Sequence, residues 1–222
     1  MAEVSNPEYS SDPFVEASIQ QLKIFGCDMF SQSWLSAEMR LHNSDVWFKK
    51  TTQQCEEQKR KRPRLYFQSR LFQMNQNIPA NTAWGQKLKA SDKLSNRERR
   101  EFNGEFLRFA LRQQQAHWLM LTIILQGERH AFDYETWLNS NNDRYSRAIE
   151  EAAVNLLMCE WDDTGLCGPG SMIILVSCVN TPGDCGLDYP EWFEKNHMPG
   201  FQKDVALVLA KLKAYSKGED IE

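Results

Sequence analysis

The stretch of residues 95–126 constrains the fold more than any other part of the chain. It reads SNRERREFNGEFLRFALRQQQAHWLMLTIILQ, contains no proline and is followed by Gly127. Ser95 and Glu98 have the spacing of a capping box, in which each side chain satisfies a free backbone N–H of the first helical turn. A glycine such as Gly127 can adopt the left-handed conformation that ends a helix. The pattern therefore predicts one helix of about 31 residues, a rod of roughly 46 Å.

The two halves of this predicted helix differ in polarity. The first half carries several arginines, whereas residues 116–125 are almost entirely apolar. A helix that is apolar all round must be buried, and a polar face must meet solvent. We therefore expect one end of the helix in the core and the other in water. The apolar run is about half as long as a membrane span requires, so we expect a soluble protein that does not enter a membrane.

Most other segments also have helical patterns. We predict helices at residues 12–25, 31–41, 46–62, 133–138, 144–160, 190–196 and from 201 onward. Segment 64–73 fits neither a helical nor a strand period cleanly, with a slight preference for helix. The run MIILVSCV at 172–179 is short, apolar and bounded by turn residues, which is typical of a strand.

Together these patterns predict a mainly α fold. We expect a single helical domain over residues 11–215, built around the long central helix at about 95–126, with room for a small β-hairpin or strand near 171–179. Apolar residues make up 41% of the chain and aromatic residues 11%, which is enough for a sizeable core. Residues 1–10 and 216–222 are predicted to be a loose N-terminus and a frayed tail.

Charge is distributed unevenly along the chain. Residues 45–125 contain sixteen Lys/Arg and seven Asp/Glu, a net charge of +9. Residues 1–44 contain two and six, a net charge of −4, and residues 126–222 contain eight and seventeen, a net charge of −9. A contiguous basic third between acidic flanks indicates an anionic partner, or neutralisation within the fold or by a neighbouring subunit.

The basic third supplies the candidate binding residues. Its densest cluster, KRKRPR at 59–64, has aromatic residues directly after it, and aromatic rings beside arginines are what single-stranded nucleic acid uses for stacking. We predict stacking by Tyr66 and Phe67. The predicted phosphate contacts are Lys59, Arg60, Lys61, Arg62, Arg64, Arg70, Lys87, Lys89, Lys93, Arg97, Arg100 and Arg108.

Three interpretations of the 59–64 cluster remain open. It can contact a nucleic-acid backbone, it can be a nuclear import signal, or it can be the solvated end of a helix, where basic side chains suit the helix dipole. The aromatic residues are likewise typical of a core. The leading hypothesis is a non-enzymatic nucleic-acid-associated protein, a subunit of a larger nucleoprotein assembly that favours RNA or single strands. The alternative is an interaction subunit whose basic face meets an acidic protein.

The six cysteines give no clear metal or redox motif. No Cys-x-x-Cys pair occurs, and Cys159, Cys167, Cys178 and Cys185 are separated by 8, 11 and 7 residues, unlike the close pairs that structural zinc requires. His197 is a further possible zinc ligand by residue type alone. The first 30 residues contain no basic region before an apolar stretch, so we expect an intracellular protein, cytoplasmic or nuclear, with mostly reduced thiols.

A short motif around Cys185 offers a remote enzymatic alternative. The sequence Gly183-Asp184-Cys185-Gly186 resembles the nucleophile turn of viral chymotrypsin-like cysteine proteases. The resemblance covers about six residues and implies a hydrolase with Cys185 as its nucleophile. That family also has two β-barrels and an upstream histidine, whereas this chain is predicted to be helical upstream of Cys185. With no Walker loop, Gly-x-Gly-x-x-Gly or His-Glu-x-x-His motif, we predict no cofactor and no metal.

Overall fold

The computed structural model describes residues 53, 56–57, 60, 86–87, 90, 93–124, 131–162, 165–169, 171, 173–174, 184 and 186–221. Within these residues the chain is mainly helical and has no strand, which confirms the predicted fold class. The helices with defined bounds are α1 (Asn96–Gln113), α2 (Ala116–Ile124), α3 (Tyr134–Leu138), α4 (Asp143–Glu160), α5 (Tyr189–Asn196) and α6 (Pro199–Ser216). The helices predicted at 12–25 and 31–41 and the segment 64–73 lie outside the described residues.

Local capping explains where α1, α3, α4 and α5 begin. Ser95 and Glu98 form the predicted capping box at α1, with the Ser95 backbone N–H donating to Glu98 Oε2 at 2.8 Å. Asp188 forms a second capping box at α5, while Asp133 and Asn142 cap α3 and α4. Each cap satisfies a backbone donor that a helix leaves free at its first turn.

The helix predicted at 95–126 is not continuous, and this part of the prediction is wrong. Gln114 adopts a left-handed conformation (φ 51°, ψ 39°) that ends α1, and α2 begins two residues later. Residues Trp118, Leu119, Met120 and Leu121 are consecutive and all buried. A straight extension of the half-solvated α1 would leave part of such a segment in water, whereas a break lets neighbouring helices surround it.

Helices α4 and α6 form the centre of the packing. They lie against each other, α4 also packs against α2, α3 and α5, and α1 packs against α2 and α6. The apolar face predicted for the last helix is present, with Val205, Val208 and Leu212 buried. The fully buried large side chains come from α1, α2, α4, α6 and the segment before α5: Phe106, Leu107, Leu111, Leu119, Ile149, Leu157, Met158, Ile174 and Leu212.

The strand expected at 172–179 is absent where the structure describes that run. Ile173 and Ile174 are helical, and the rest of the run lies outside the described residues. Ile174 is completely buried and Ile173 packs against the same core. A short continuous apolar run is typical of a buried helical turn as well as a buried strand, so its period could not distinguish the two.

Candidate functional site

Six of the predicted phosphate-binding residues lie in the described part of the chain. Arg60, Lys87, Lys93 and Arg97 are exposed, whereas Arg100 and Arg108 are half-buried. The other predicted residues lie outside it: Lys59, Lys61, Arg62, Arg64, Arg70, Lys89 and the stacking candidates Tyr66 and Phe67. The four described residues of the helix predicted at 46–62, among them Arg60, are helical.

Acidic side chains alternate with the cations along α1. Arg97 and Arg108 are 11 residues apart, which places them within about 20° of each other around the helix axis. Arg97 Nε lies 3.1 Å from Glu101 Oε1, and Lys87 Nζ lies 3.9 Å from Glu105 Oε2. All four side chains are more than half exposed, and exposed ion pairs of this kind contribute about 0–1 kcal/mol. A phosphate group can therefore compete for Arg97 and Lys87 at little cost.

The arginines near the end of α1 contact a backbone carbonyl group and an aromatic ring. Arg108 Nη1 donates a hydrogen bond of 2.8 Å to the Ala131 carbonyl oxygen. Arg112, one helical turn further, places its guanidinium carbon 4.4 Å from the centre of the Tyr215 ring. This cation–π contact joins α1 to α6. The two arginines are thus oriented by groups far away in sequence.

These arginines line an open groove between α1, α3 and the C-terminal end of the chain. Its volume is about 760 Å³. Its lining residues are Arg108, Arg112, Ala131, Phe132, Asp133, Thr136, Trp137, Tyr215, Gly218, Glu219, Asp220 and Ile221. We call this the α1–α3 groove.

A set of packed aromatic rings forms one wall of the α1–α3 groove. Phe132 stacks on Trp137 with ring centres 5.3 Å apart and contacts Tyr215 edge-on at 5.0 Å. Lys211 Nζ lies 4.7 Å from the centre of the Trp137 ring. The rings are therefore held rigidly by one another and by cationic side chains.

Asp133 keeps a fixed negative charge in the groove. The Thr136 hydroxyl donates to Asp133 Oδ2 at 2.6 Å, and the Thr136 backbone N–H donates to Oδ1 at 3.1 Å. The side-chain hydrogen bond first, and the backbone bond after it, lower the pKa of Asp133 below its ordinary value. The carboxyl group is consequently ionised at neutral pH and serves as the cap of α3.

Two of the cysteines are joined in a disulfide. Cys159, in the last turn of α4, is bonded to Cys167, with 5.4 Å between their Cα atoms. For these two residues the expectation of reduced thiols is wrong. The turn that follows α4 brings the chain back after eight residues, and Gly165 in that turn has the positive φ of 80° that glycine tolerates. Neither sulfur is available as a zinc ligand.

In the motif around Cys185, the structure describes only Asp184 and Gly186. Cys185 lies outside the described residues, but Asp184 before it is buried. Lys195 Nζ donates to Asp184 Oδ1, and Asn196 Nδ2 donates to Asp184 Oδ2 at 2.9 Å. Both donors belong to the last turn of α5. These two bonds join Asp184 to the last turn of α5, which is a structural role.

The sequence pattern missed most of the α1–α3 groove. Arg108 was a predicted site residue, but Arg112, Trp137, Lys211 and Tyr215 were not. The one available signal was the spacing of four residues between Arg108 and Arg112, which places both on one helix face. Nothing in the spacing indicates that residues more than a hundred positions later supply the opposite wall.

No metal cluster or membrane-spanning helix is found among the residues described here. They contain no group of three or more His, Cys, Asp or Glu side chains arranged to hold an ion. Of the described helices, none combines the length and apolar content that crossing a bilayer requires. No family model matches the sequence, and comparison with curated proteins and with solved structures gave no significant match.

Proposed function

We propose that this chain is a non-enzymatic nucleic-acid-associated protein, acting as a subunit of a larger nucleoprotein assembly. Its basic middle third would hold the phosphate backbone, with single strands or RNA as the favoured ligand. The observation that carries the proposal is the net charge of +9 over residues 45–125, placed between flanks of −4 and −9. Phosphate contacts by Lys and Arg supply most of the affinity of such proteins for nucleic acid.

The environment of the described cations supports the proposal. Arg97 is exposed in the first turn of α1, and Lys87 and Lys93 are exposed before the helix. The ion pairs of Arg97 with Glu101 and of Lys87 with Glu105 are solvent-accessible, so their loss on binding phosphate costs little. The acidic flanks would face a protein neighbour or weaken nonspecific binding.

The test is a titration of the full chain with labelled single- and double-stranded RNA and DNA at two salt concentrations. If five phosphates of a single strand are neutralised, a fourfold rise in salt should weaken binding on the order of 100-fold. Fluorescence anisotropy measures this directly. An absence of binding, or binding without dependence on salt, would rule the proposal out.

A pair of charge-matched variants separates contact from net charge. Lys93→Gln with Arg97→Gln removes two cations from the start of α1. Arg144→Gln with Arg147→Gln removes two exposed cations from α4, in the acidic third. The first variant should lower the slope of log K against log salt by about 1.4, because each single-strand phosphate contributes about 0.7. The second should leave the slope unchanged, and equal slopes in the two variants would contradict contact at α1.

We propose, second, that the chain is a protein-interaction or structural subunit whose basic face meets an acidic partner. Met198 is 78% exposed and Leu207 is 42% exposed, and a protein neighbour would cover this apolar area. Light scattering before and after nuclease treatment distinguishes the two proposals. Assembly that survives nuclease favours a protein partner, and assembly that dissolves favours nucleic acid.

A further inference from the structure

Residues 218–221, which include two acidic side chains, form one wall of the α1–α3 groove. Gly218 has a positive φ of 90°, and its backbone N–H donates to the Tyr215 carbonyl oxygen at 2.9 Å. The Glu219 N–H donates to the Ala214 carbonyl oxygen at 3.1 Å. These two bonds form a Schellman motif, which ends α6 and turns the chain away from the helix axis.

Beyond this turn the chain runs back toward α6. Lys211 Nζ donates a hydrogen bond of 3.3 Å to the carbonyl oxygen of Ile221, which lies ten residues further along the chain. The reversal places residues 218–221, which we call the tail, along the groove that contains Arg108 and Arg112. The backbone of Gly218, Glu219 and Ile221 makes the hydrogen bonds that hold the tail in this position.

The tail supplies most of the negative charge that lines the groove. Arg108 and Arg112 contribute two positive charges and Asp133 one negative charge to the lining, while Glu219 and Asp220 add two negative charges. Both tail residues are exposed. The two tail carboxylates therefore equal in number the two arginines of the lining. The tail thus forms an acidic wall of the groove that also contains Arg108 and Arg112.

We propose that the α1–α3 groove binds a phosphate of single-stranded nucleic acid through Arg108 and Arg112, and that the tail screens this site in the free protein. This inference rests on the function proposed above and extends it to a particular site. Arginine suits the role because its planar guanidinium group binds phosphate through two parallel N–H donors.

The geometry of Arg112 fits this ligand. One face of its guanidinium group lies over the Tyr215 ring, and the side chain is exposed on the groove. A guanidinium plane supported in this way is a surface on which an unstacked base can lie, as single-stranded RNA allows. The ring contact also restricts the rotamers of Arg112, which reduces the entropy lost on binding.

The experiment removes the tail charges without removing the tail. Glu219→Gln with Asp220→Asn leaves the Schellman backbone contacts in place, and Glu151→Gln with Glu194→Gln removes two exposed charges elsewhere. The probe is a short labelled oligouridine, titrated against each full-length protein at low salt. The tail variant should bind roughly threefold to tenfold more tightly than the native chain, and the control variant should show a smaller change.

Arg112→Gln decides whether the gain arises in the groove. Combined with the tail variant, it should abolish most of the gain in affinity, because the two changes act on one contact and are not additive. Circular dichroism checks that each variant is folded. A gain that persists without Arg112, or that the control variant reproduces, would overturn the inference by showing a general charge effect.

Two further outcomes separate this inference from the function on which it rests. If the native chain and the tail variant bind the probe equally, the groove inference fails and the proposed function stands. If no variant binds at any salt concentration, both fail. A protein truncated after Lys217 that binds a peptide of residues 217–222, but not the oligouridine, would make the groove a peptide site and overturn the inference.

Discussion

Tyr189 shows how one buried residue couples this fold to pH. It is the first residue of α5, it is 4% exposed, and its backbone N–H donates to the Cys167 carbonyl oxygen at 2.9 Å. Asn155 Nδ2 of α4 donates to its hydroxyl oxygen at 3.3 Å. Burial raises the pKa of Tyr189 to about 12, because the phenolate would lose its hydration, and the Asn155 hydrogen bond lowers it by less.

This shift predicts a loss of stability at alkaline pH. In the unfolded chain the phenol titrates near its ordinary pKa of about 10, so between about 10 and 12 the unfolded state binds fewer protons. Stability then falls as pH rises, by on the order of 3 kcal/mol for a shift of this size. Urea denaturation at a series of pH values measures it.

Tyr189→Phe is the matched variant, since it keeps the ring and removes the titrating group. Its stability should decline less than that of the native chain over the same pH interval. Parallel declines in the two proteins would show that Tyr189 does not titrate with the shifted pKa. The difference in tyrosinate absorbance between the native protein and the Tyr189→Phe variant, followed through the same pH interval, gives an independent reading of this titration.

The break between α1 and α2 is the main feature at the level of elements. Gln114 occupies a left-handed conformation that costs a non-glycine residue roughly 1 kcal/mol. Its side-chain Nε2 donates to the Ser216 carbonyl oxygen at 2.9 Å, which joins the end of α1 to the end of α6. Burial of the apolar α2 against α1 and α4 is large enough to offset the local strain.

Two substitutions at Gln114 test this break, because the difference in stability between them has one sign if the helix is broken and the opposite sign if it is continuous. Gln114→Gly and Gln114→Ala both remove the hydrogen bond to Ser216, but only glycine relieves the left-handed strain. The glycine variant should therefore be more stable than the alanine variant by roughly 1 kcal/mol. In a continuous helix the order would be reversed by about the same amount. Midpoints of urea denaturation decide between the two orders.

At the scale of the whole molecule, the Cys159–Cys167 disulfide restricts the unfolded chain. It closes a short loop between α4 and the segment leading to α5, and Asp162 Oδ2 accepts a hydrogen bond of 3.2 Å from the Cys167 N–H inside that loop. A loop of about this length corresponds to roughly 2–3 kcal/mol of stabilisation in the chain-entropy model. Structural disulfides are typical of oxidising compartments, whereas the thiols of an intracellular protein are mostly reduced. The bond therefore does not favour the predicted intracellular location.

Replacing Cys159 and Cys167 together by alanine should lower the free energy of unfolding by roughly 2–3 kcal/mol under oxidising conditions. Adding a reductant to the native chain should lower its free energy of unfolding by at least this amount. In the double variant the same reductant should cause a smaller loss of stability, because this disulfide is already absent. Urea denaturation with and without reductant measures both. A native chain whose midpoint does not respond to reduction would contradict a stabilising role.

The starts of α1, α3 and α5 were predictable because their causes are local. The Ser95–Glu98 capping box, the Asp133 cap and the proline at the start of α5 act within three or four residues. The buried face of α6 was predictable for a similar reason, because the helical period places Val205, Val208 and Leu212 on one side. The mainly α fold class follows from such signals repeated along the chain.

The break at Gln114, the helical turn at Ile173–Ile174 and the α1–α3 groove were decided by tertiary structure. Gln114 is bonded to a residue 102 positions away, and Arg112 lies against Tyr215. The sequence by itself determined which segments are helical and which faces are apolar, since those depend on neighbours within a turn or two. The partners of the arginines and the bend of the central segment depend on which surfaces meet when the core is buried, and that free energy belongs to the assembled fold.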